Sequence, residues 1–162
     1  EVFCGEPLLV GLRLAHRLAA REQVRLADLA LDVLGVPSGA LFPAWALAQG
    51  QALGDAGISP PSVVLDAADL SATGWVWQPD VDWILMTGSV MAVPAGAVAR
   101  PVEPLQLIPY TLQWNPDRAQ TAAVARFVDL ALTVELPPGW LTPPRDLRHG
   151  NSSGPVDRPS SD

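Results

Sequence analysis

Between Pro7 and Asp66 the sequence alternates short apolar runs with helix-compatible stretches, and that order leaves few architectures open. Pro7 to Leu14, PLLVGLRL, reads as a buried strand. The Ala-rich, basic stretch Ala15 to Ala30 follows, with a short helix expected at Leu26 to Ala30. Leu31 to Pro37 is a second strand that ends at a proline. Phe42 to Asp55 is helical and closes at Gly57, where a glycine permits the left-handed C-terminal cap. Ser59-Pro60-Pro61 connects to a third strand, Ser62 to Asp66. Strand, helix, strand, helix, strand is the order of βαβ units, so an α/β fold is expected, its sheet mainly parallel with helices on the faces.

Beyond Asp69 the pattern is less regular. Gly74 and Pro79 interrupt any helix before Asp82, while Trp75, Trp77 and Trp83 supply bulk that suits a strand, an aromatic cover over a cleft or a loop packed on the core. In Ile84 to Val93 the Thr87-Gly88-Ser89 step reads as a short helix end or a turn before a strand at Val90 to Val93. Further strands are expected at Val102 to Leu107 and Tyr110 to Trp114. Asn115-Pro116-Asp117 then opens a helix, with Asn as N-cap and Pro at the first helical position. Ala123, Phe127, Leu130 and Val134 recur at i, i+4, i+7 and i+11, an apolar face expected to pack on the sheet. From Glu135 onward prolines mix with Gly, Ser, Asn and charges, and a disordered tail is expected over 135–162.

Charge narrows the function. The 162 residues carry a formal net charge of −7, so no broad electropositive face is available to neutralise phosphates, and this chain alone is not expected to grip DNA. All ten basic residues are Arg, a usage typical of GC-rich genomes such as those of actinobacteria. The one cysteine, Cys4, excludes an internal disulfide and reads as a small core residue, in keeping with the reducing cytosol. Trp83 to Ala99 is uncharged but contains Gly88, Pro94 and Gly96, too short and too broken for a membrane span, so no membrane partner is expected. The start shows no export signal, and Glu1-Val2-Phe3-Cys4 reads as the middle of something folded, so the chain is treated as a possible fragment.

Machinery for catalysis is not visible. There is no G-x-S-x-G elbow, P-loop or dinucleotide fingerprint. His16 and His149 lack Cys or carboxylate partners at metal spacing. Asp80 and Asp82 would share one face of a strand, but no third ligand is near and they read as solvated acids. No catalytic residue, metal or cofactor is expected.

Several segments, in order, resemble the effector-binding domain of LysR-type transcriptional regulators. His16-Arg17-Leu18-Ala19 stands where that family has "HPLA", with Arg17 in place of the proline, and Val24 to Leu29, VRLADL, matches the step that follows. Ala56-Gly57-Ile58 with Val63 to Asp66 resembles "AGI.P" and "VVLD"; Thr87 to Pro94 resembles "GxGVALLP" with Thr87 for the first glycine. Arg100-Pro101-Val102 resembles "RPL", and Leu112-Gln113-Trp114 with Ala125 to Ala131 resembles "LAW" and the last helix. The match covers Glu6 to Leu132. It implies a two-lobed fold like that of type 2 periplasmic binding proteins, with a partial effector-binding domain over 1–134. Lobe two would take about 15–99 and the returning pieces of lobe one 1–14 and 100–134. The family's winged helix-turn-helix has no counterpart here, so DNA would be reached only through a segment absent from this chain. The resemblance further implies a cytoplasmic protein, homo-oligomeric when complete, that binds a small-molecule effector. The segments Gly74 to Trp83 and Pro94 to Arg100 depart from the family pattern.

The ligand candidates follow from both arguments. The turn Ser38-Gly39-Ala40 leads into a helix N-terminus, whose N–H groups and dipole favour an anion; Ser38 alternatively caps the helix. Phe42 either stacks on an effector or sits in the core. Thr87 and Gly88 offer a hydroxyl and close backbone approach, or simply form a tight turn. Val10 and Leu12 border the cleft through the family resemblance alone. The expectation is a sensor of a small anionic or aromatic metabolite, with a transport solute-binding protein, an α/β enzyme and a truncated non-binding remnant as rivals.

Overall fold

The computed structural model describes residues 2–40, 42–66, 74–89, 92–112 and 121–142. The chain divides into two compact units, Glu6–Ile108 and Glu1–Gly5 with Pro109–Asp162.

The larger unit is built on a five-stranded sheet. Its strands are β2 (Leu9–Arg13), β3 (Leu34–Pro37), β4 (Ser62–Leu65), β5 (Trp83–Met86) and β6 (Ala97–Pro101), in the order β4-β3-β5-β2-β6. β3 runs parallel to both β4 and β5, and β2 runs antiparallel to β5 and β6. Helix α1 (Pro43–Asp55) lies between β3 and β4 in sequence, giving the expected βαβ crossover. Its end is closed as the sequence suggests: Gly57 takes φ +66°, its N–H donates to the Gly54 carbonyl at 3.0 Å, and the Ile58 N–H donates to the Leu53 carbonyl at 3.1 Å. This is the paired C-terminal capping arrangement that a left-handed glycine makes accessible.

Both faces of the interior strands β2, β3 and β5 are largely buried, whereas the edge strand β4 is exposed up to Val64. Val10, Leu12, Leu34, Trp83 and Leu85 pack on one face with Leu26, Leu29 and Ala52. Ile84, Met86 and Leu65 pack on the other with Val81, Val76 and Trp75. The tryptophans therefore part company: Trp75 and Trp83 are fully buried in different clusters, whereas Trp77 is 76% exposed. Each buried indole contributes transfer free energy on the order of 4–6 kcal/mol, from roughly 150–250 Å² removed from water. Trp75 begins a single 3-10 turn, Trp75–Trp77.

Several strand limits differ from the sequence reading. The run Pro7 to Leu14 is broken at Leu8 between β1 (Val2–Pro7) and β2, because Pro7 has no N–H and the Leu8 N–H turns to the Gln106 carbonyl at 2.9 Å. Trp83–Met86 is a strand that precedes the expected turn, which falls at Gly88 and Ser89, and Ala97–Pro101 is a further strand for which the sequence reading names no element. Val102 to Leu107 is not one strand. Val102 bridges Val24, the Glu103 N–H donates to the Val24 carbonyl at 2.9 Å, and Pro104 has no donor with which to continue a ladder. The expected strand at Val90 to Val93 falls partly outside the described residues; Ala92 and Val93 are not in a strand.

In the smaller unit β1 and β7 (Leu107–Thr111) form a two-stranded sheet. Gly5 and Leu141 exchange backbone hydrogen bonds at 2.8 and 2.9 Å, and the rings of Tyr110 and Trp140 lie 4.5 Å apart. Residues 135–142 thus carry structure that the expected disorder did not anticipate; 143–162 lie outside the described residues. Helix α2 (Ala122–Thr133) is capped by Thr121, whose hydroxyl accepts from the Val124 N–H. The expected start at Asn115 lies outside the described residues. Phe127, Leu130 and Val134 are exposed, so among the described residues nothing covers the face expected to pack on the sheet.

Candidate functional site

Three parallel strands end on one edge of the larger unit's sheet. Pro37 of β3 lies opposite Leu65 of β4, and Leu34 and Gly35 lie opposite Trp83 and Ile84 of β5. Continuing these registers past the strand ends sets Ser38 level with Asp66 and Thr87. β2 runs the other way, Leu9 facing Met86, so the residues before it, Glu6 to Leu8, arrive at the same edge. The N-terminus of α1 follows from Ser38 within a few residues. Ligands of open α/β sheets bind outside the carboxyl ends of the parallel strands, so this edge is the place to look.

Ser38 is half-buried, and its carbonyl accepts from the Phe42 N–H at 3.1 Å. It does not cap α1: the N-cap position is Phe42, with no side-chain capping bond, and Pro43 opens the helix. Gly39 and Ala40 are exposed in the turn. Phe42 is 45% exposed, which removes it from the core.

Thr87 differs from every other candidate. It is 1% exposed, and its Oγ1 has no hydrogen-bond partner among the described residues. Strand alternation from Trp83 and Leu85 puts it on the α1 face of the sheet, the face that Ser38 shares with Leu34. Gly88 is exposed beside it.

Val10 and Leu12 do not line a cleft. Both are fully buried in the core cluster under α1, because β2 is an interior strand whose two faces are both covered. Their contribution is to hold the strand that delivers Glu6.

Glu6 and Ser89 are the residues that sequence reasoning missed. The Glu6 side chain is buried, at 3% residue exposure, and its carboxylate accepts from the Ser89 N–H at 2.7 Å and the Ser89 hydroxyl at 2.6 Å. The available signal was a lone acid set in the apolar run from Val2 to Leu12, since a charge in such a run is buried only with hydrogen-bonding partners. Asp80 is exposed, while Asp82 serves the backbone: its carboxylate accepts from the Val33 N–H at 2.8 Å.

No protein-family model matches this sequence, and no curated protein matches it. Solved structures do. The LysR family transcriptional regulator CbnR superposes with a TM-score of 0.58 at 21% identity, over 81% of this chain and 45% of that one. The regulatory domain of NMB2055 (MetR), a LysR family regulator from N. meningitidis, gives a TM-score of 0.58 at 14% identity, over 89% of this chain and 70% of that one. The BenM effector binding domain, solved with its effector benzoate, gives 0.51 at 15% identity, over 86% and 67%. This chain has the fold of LysR regulatory domains. That fold is the two-lobed α/β arrangement of type 2 periplasmic binding proteins, and the chain spans less than half of CbnR. In LysR-fold terms the edge formed by Ser38, Thr87 and Glu6 lies wholly within one compact unit, Glu6–Ile108.

Proposed function

We propose that this chain is an effector-sensing domain of a LysR-type transcriptional regulator, and that a small organic metabolite binds at the carboxyl edge formed by Ser38, Phe42, Thr87 and Gly88. The observation that carries the reading is the Thr87 hydroxyl, buried and without a partner among the described residues at the strand end where α/β folds bind ligands. An unpaired buried hydroxyl costs roughly 1–3 kcal/mol, which a bound molecule returns by satisfying it. Phe42 presents an exposed ring beside the turn, and the benzoate in the BenM domain is a precedent for an aromatic ligand in this fold.

The domain senses without catalysing and needs no cofactor. Binding shifts the arrangement of an oligomer in the complete, cytoplasmic regulator, and DNA is read by a winged helix-turn-helix outside this chain. The net charge of −7 supports that division of labour. Thermal-shift screening of the chain against small organic acids, amines, amides and sugars tests the reading. A ligand at one hundred times its Kd stabilises by about 2.7 kcal/mol, and Thr87→Val removes the response. Flat melting curves across the screen overturn it.

A further inference from the structure

We propose that the larger unit carries a second binding site, separate from the sheet edge at Thr87, that takes a small zwitterion of the α-amino acid type. It is a cavity of about 310 Å³ beside the end of β6, at the small end of the range of ligand pockets. Backbone hydrogen bonds fix its frame. The Arg21 N–H donates to the Leu18 carbonyl at 3.0 Å, and Arg100 of β6 donates through Nε to the Ala19 carbonyl at 3.0 Å, so the turn is tied to the sheet. Val24 is held from both sides: its N–H donates to the Pro101 carbonyl and its carbonyl accepts from the Glu103 N–H, each at 2.9 Å. Leu18 and Val24, both buried, are the apolar part of the lining, and every other lining residue is polar or charged.

The charges on that lining are two of each sign, and only one pair is closed. Arg25 Nε and Glu103 Oε2 stand 3.6 Å apart. Arg21 and Asp28 also line the cavity, yet among the described residues neither side chain makes a hydrogen bond or an ion pair. The Asp28 backbone is engaged, its N–H donating to the Arg25 carbonyl at 3.0 Å and its carbonyl accepting from Arg17 Nη2, which holds the residue in place while its carboxylate stays open. A guanidinium and a carboxylate thus border one space without meeting across it. A simple anion there would suit Arg21 but face Asp28 and Glu103, and a simple cation would face the two arginines. A molecule with both charges on neighbouring groups satisfies both poles. Its carboxylate takes the planar fork of Arg21 and its ammonium donates to Asp28. Gln23, also on the lining, adds an amide that donates and accepts, and Leu18 with Val24 receives a short aliphatic side chain.

The test is an NMR titration of the whole chain with L-valine, isovalerate and isobutylamine, which share a carbon skeleton and carry both charges, the negative one or the positive one. Binding is read from the backbone amide shifts of Arg21, Gln23 and Asp28. Valine is expected to bind at least about tenfold more tightly than either analogue. Arg21→Gln is expected to bring valine down to the level of isobutylamine and to leave isobutylamine unchanged. Asp28→Asn is expected to bring valine down to the level of isovalerate and to leave isovalerate unchanged. Both side chains are exposed and neither replacement removes a bond within the protein, so the variants should melt with the wild type. Thr87→Val should leave the valine titration as it was, which separates this site from the sheet edge. Valine binding no more tightly than the analogues, an affinity that survives both charge replacements, or no shift at these three amides overturns the assignment. Shifts at Gly88 and Ser89 in their place would overturn it too, while supporting the sensing edge.

Discussion

Val33 and Asp82 hold each other in both directions: the Val33 N–H donates to the Asp82 carboxylate at 2.8 Å, and the Asp82 N–H donates to the Val33 carbonyl at 2.9 Å. One residue precedes β3 and the other precedes β5, so the pair fixes the register of the two parallel strands whose far ends carry Ser38 and Thr87. Just beside it the Trp83 indole N–H donates to the Asp32 carbonyl at 3.1 Å. Asp82→Ala leaves the Val33 N–H without its acceptor and is expected to cost about 1–3 kcal/mol in urea denaturation. A loss within experimental error would mean that solvent replaces the carboxylate without penalty.

Gly11 is the second lever on the sheet. A Cβ there would stand 2.9 Å from Ile84 Cγ1, and 3.2 Å from both Met86 Sδ and Trp75 Cζ2. The close approach of Trp75 to the strand therefore depends on the absence of a side chain. Gly11→Ala is expected to destabilise by roughly 1–3 kcal/mol through overpacking, despite alanine's lower backbone entropy cost. A midpoint of unfolding at or above wild type would show that Trp75 moves aside freely.

What the sequence made legible was local, and what it hid was long-range. Gly57, the helix from Pro43 and the strand at Ser62 could be read because cap, proline and apolar run lie within a few residues of one another. Val10 and Leu12 were misplaced because β2 is buried on both faces. A strand covered on both sides is apolar throughout and has no period-two pattern to tell a core position from a cleft position. Glu6 was missed because its partner, Ser89, is 83 residues away. The run Val102 to Leu107 looked like a strand by composition, yet its donors are drawn to Val24 and Leu8 instead.

Thr87→Val separates stability from function at the proposed edge. The hydroxyl is buried without a partner among the described residues, so replacing it with a methyl group of similar shape is expected to leave the melting temperature unchanged, or to raise stability by up to about 1–2 kcal/mol. The stabilisation produced by a bound ligand should fall at the same time. A variant that melts well below wild type in the absence of ligand would show that the hydroxyl is satisfied in solution, and that its role is structural.

Trp140 governs the smaller unit. Its ring lies 4.5 Å from that of Tyr110 with the planes inclined at 31°, and the next residue, Leu141, exchanges two backbone hydrogen bonds with Gly5. Gly139, at φ +86°, turns the chain so that this can happen. An aromatic pair of this kind contributes about 0.5–1.5 kcal/mol beyond its buried area. Trp140→Ala should therefore release the bridge: hydrogen exchange at the Gly5 and Leu141 amides is expected to quicken about tenfold, the factor that corresponds to 1.4 kcal/mol. Amides of the larger unit's core, such as those of Ile84 and Leu85, should keep their protection, because their hydrogen bonds belong to a separate sheet. Equal acceleration in both units would mean that they open as one, and that the pairing of Gly5 with Leu141 has no independent stability.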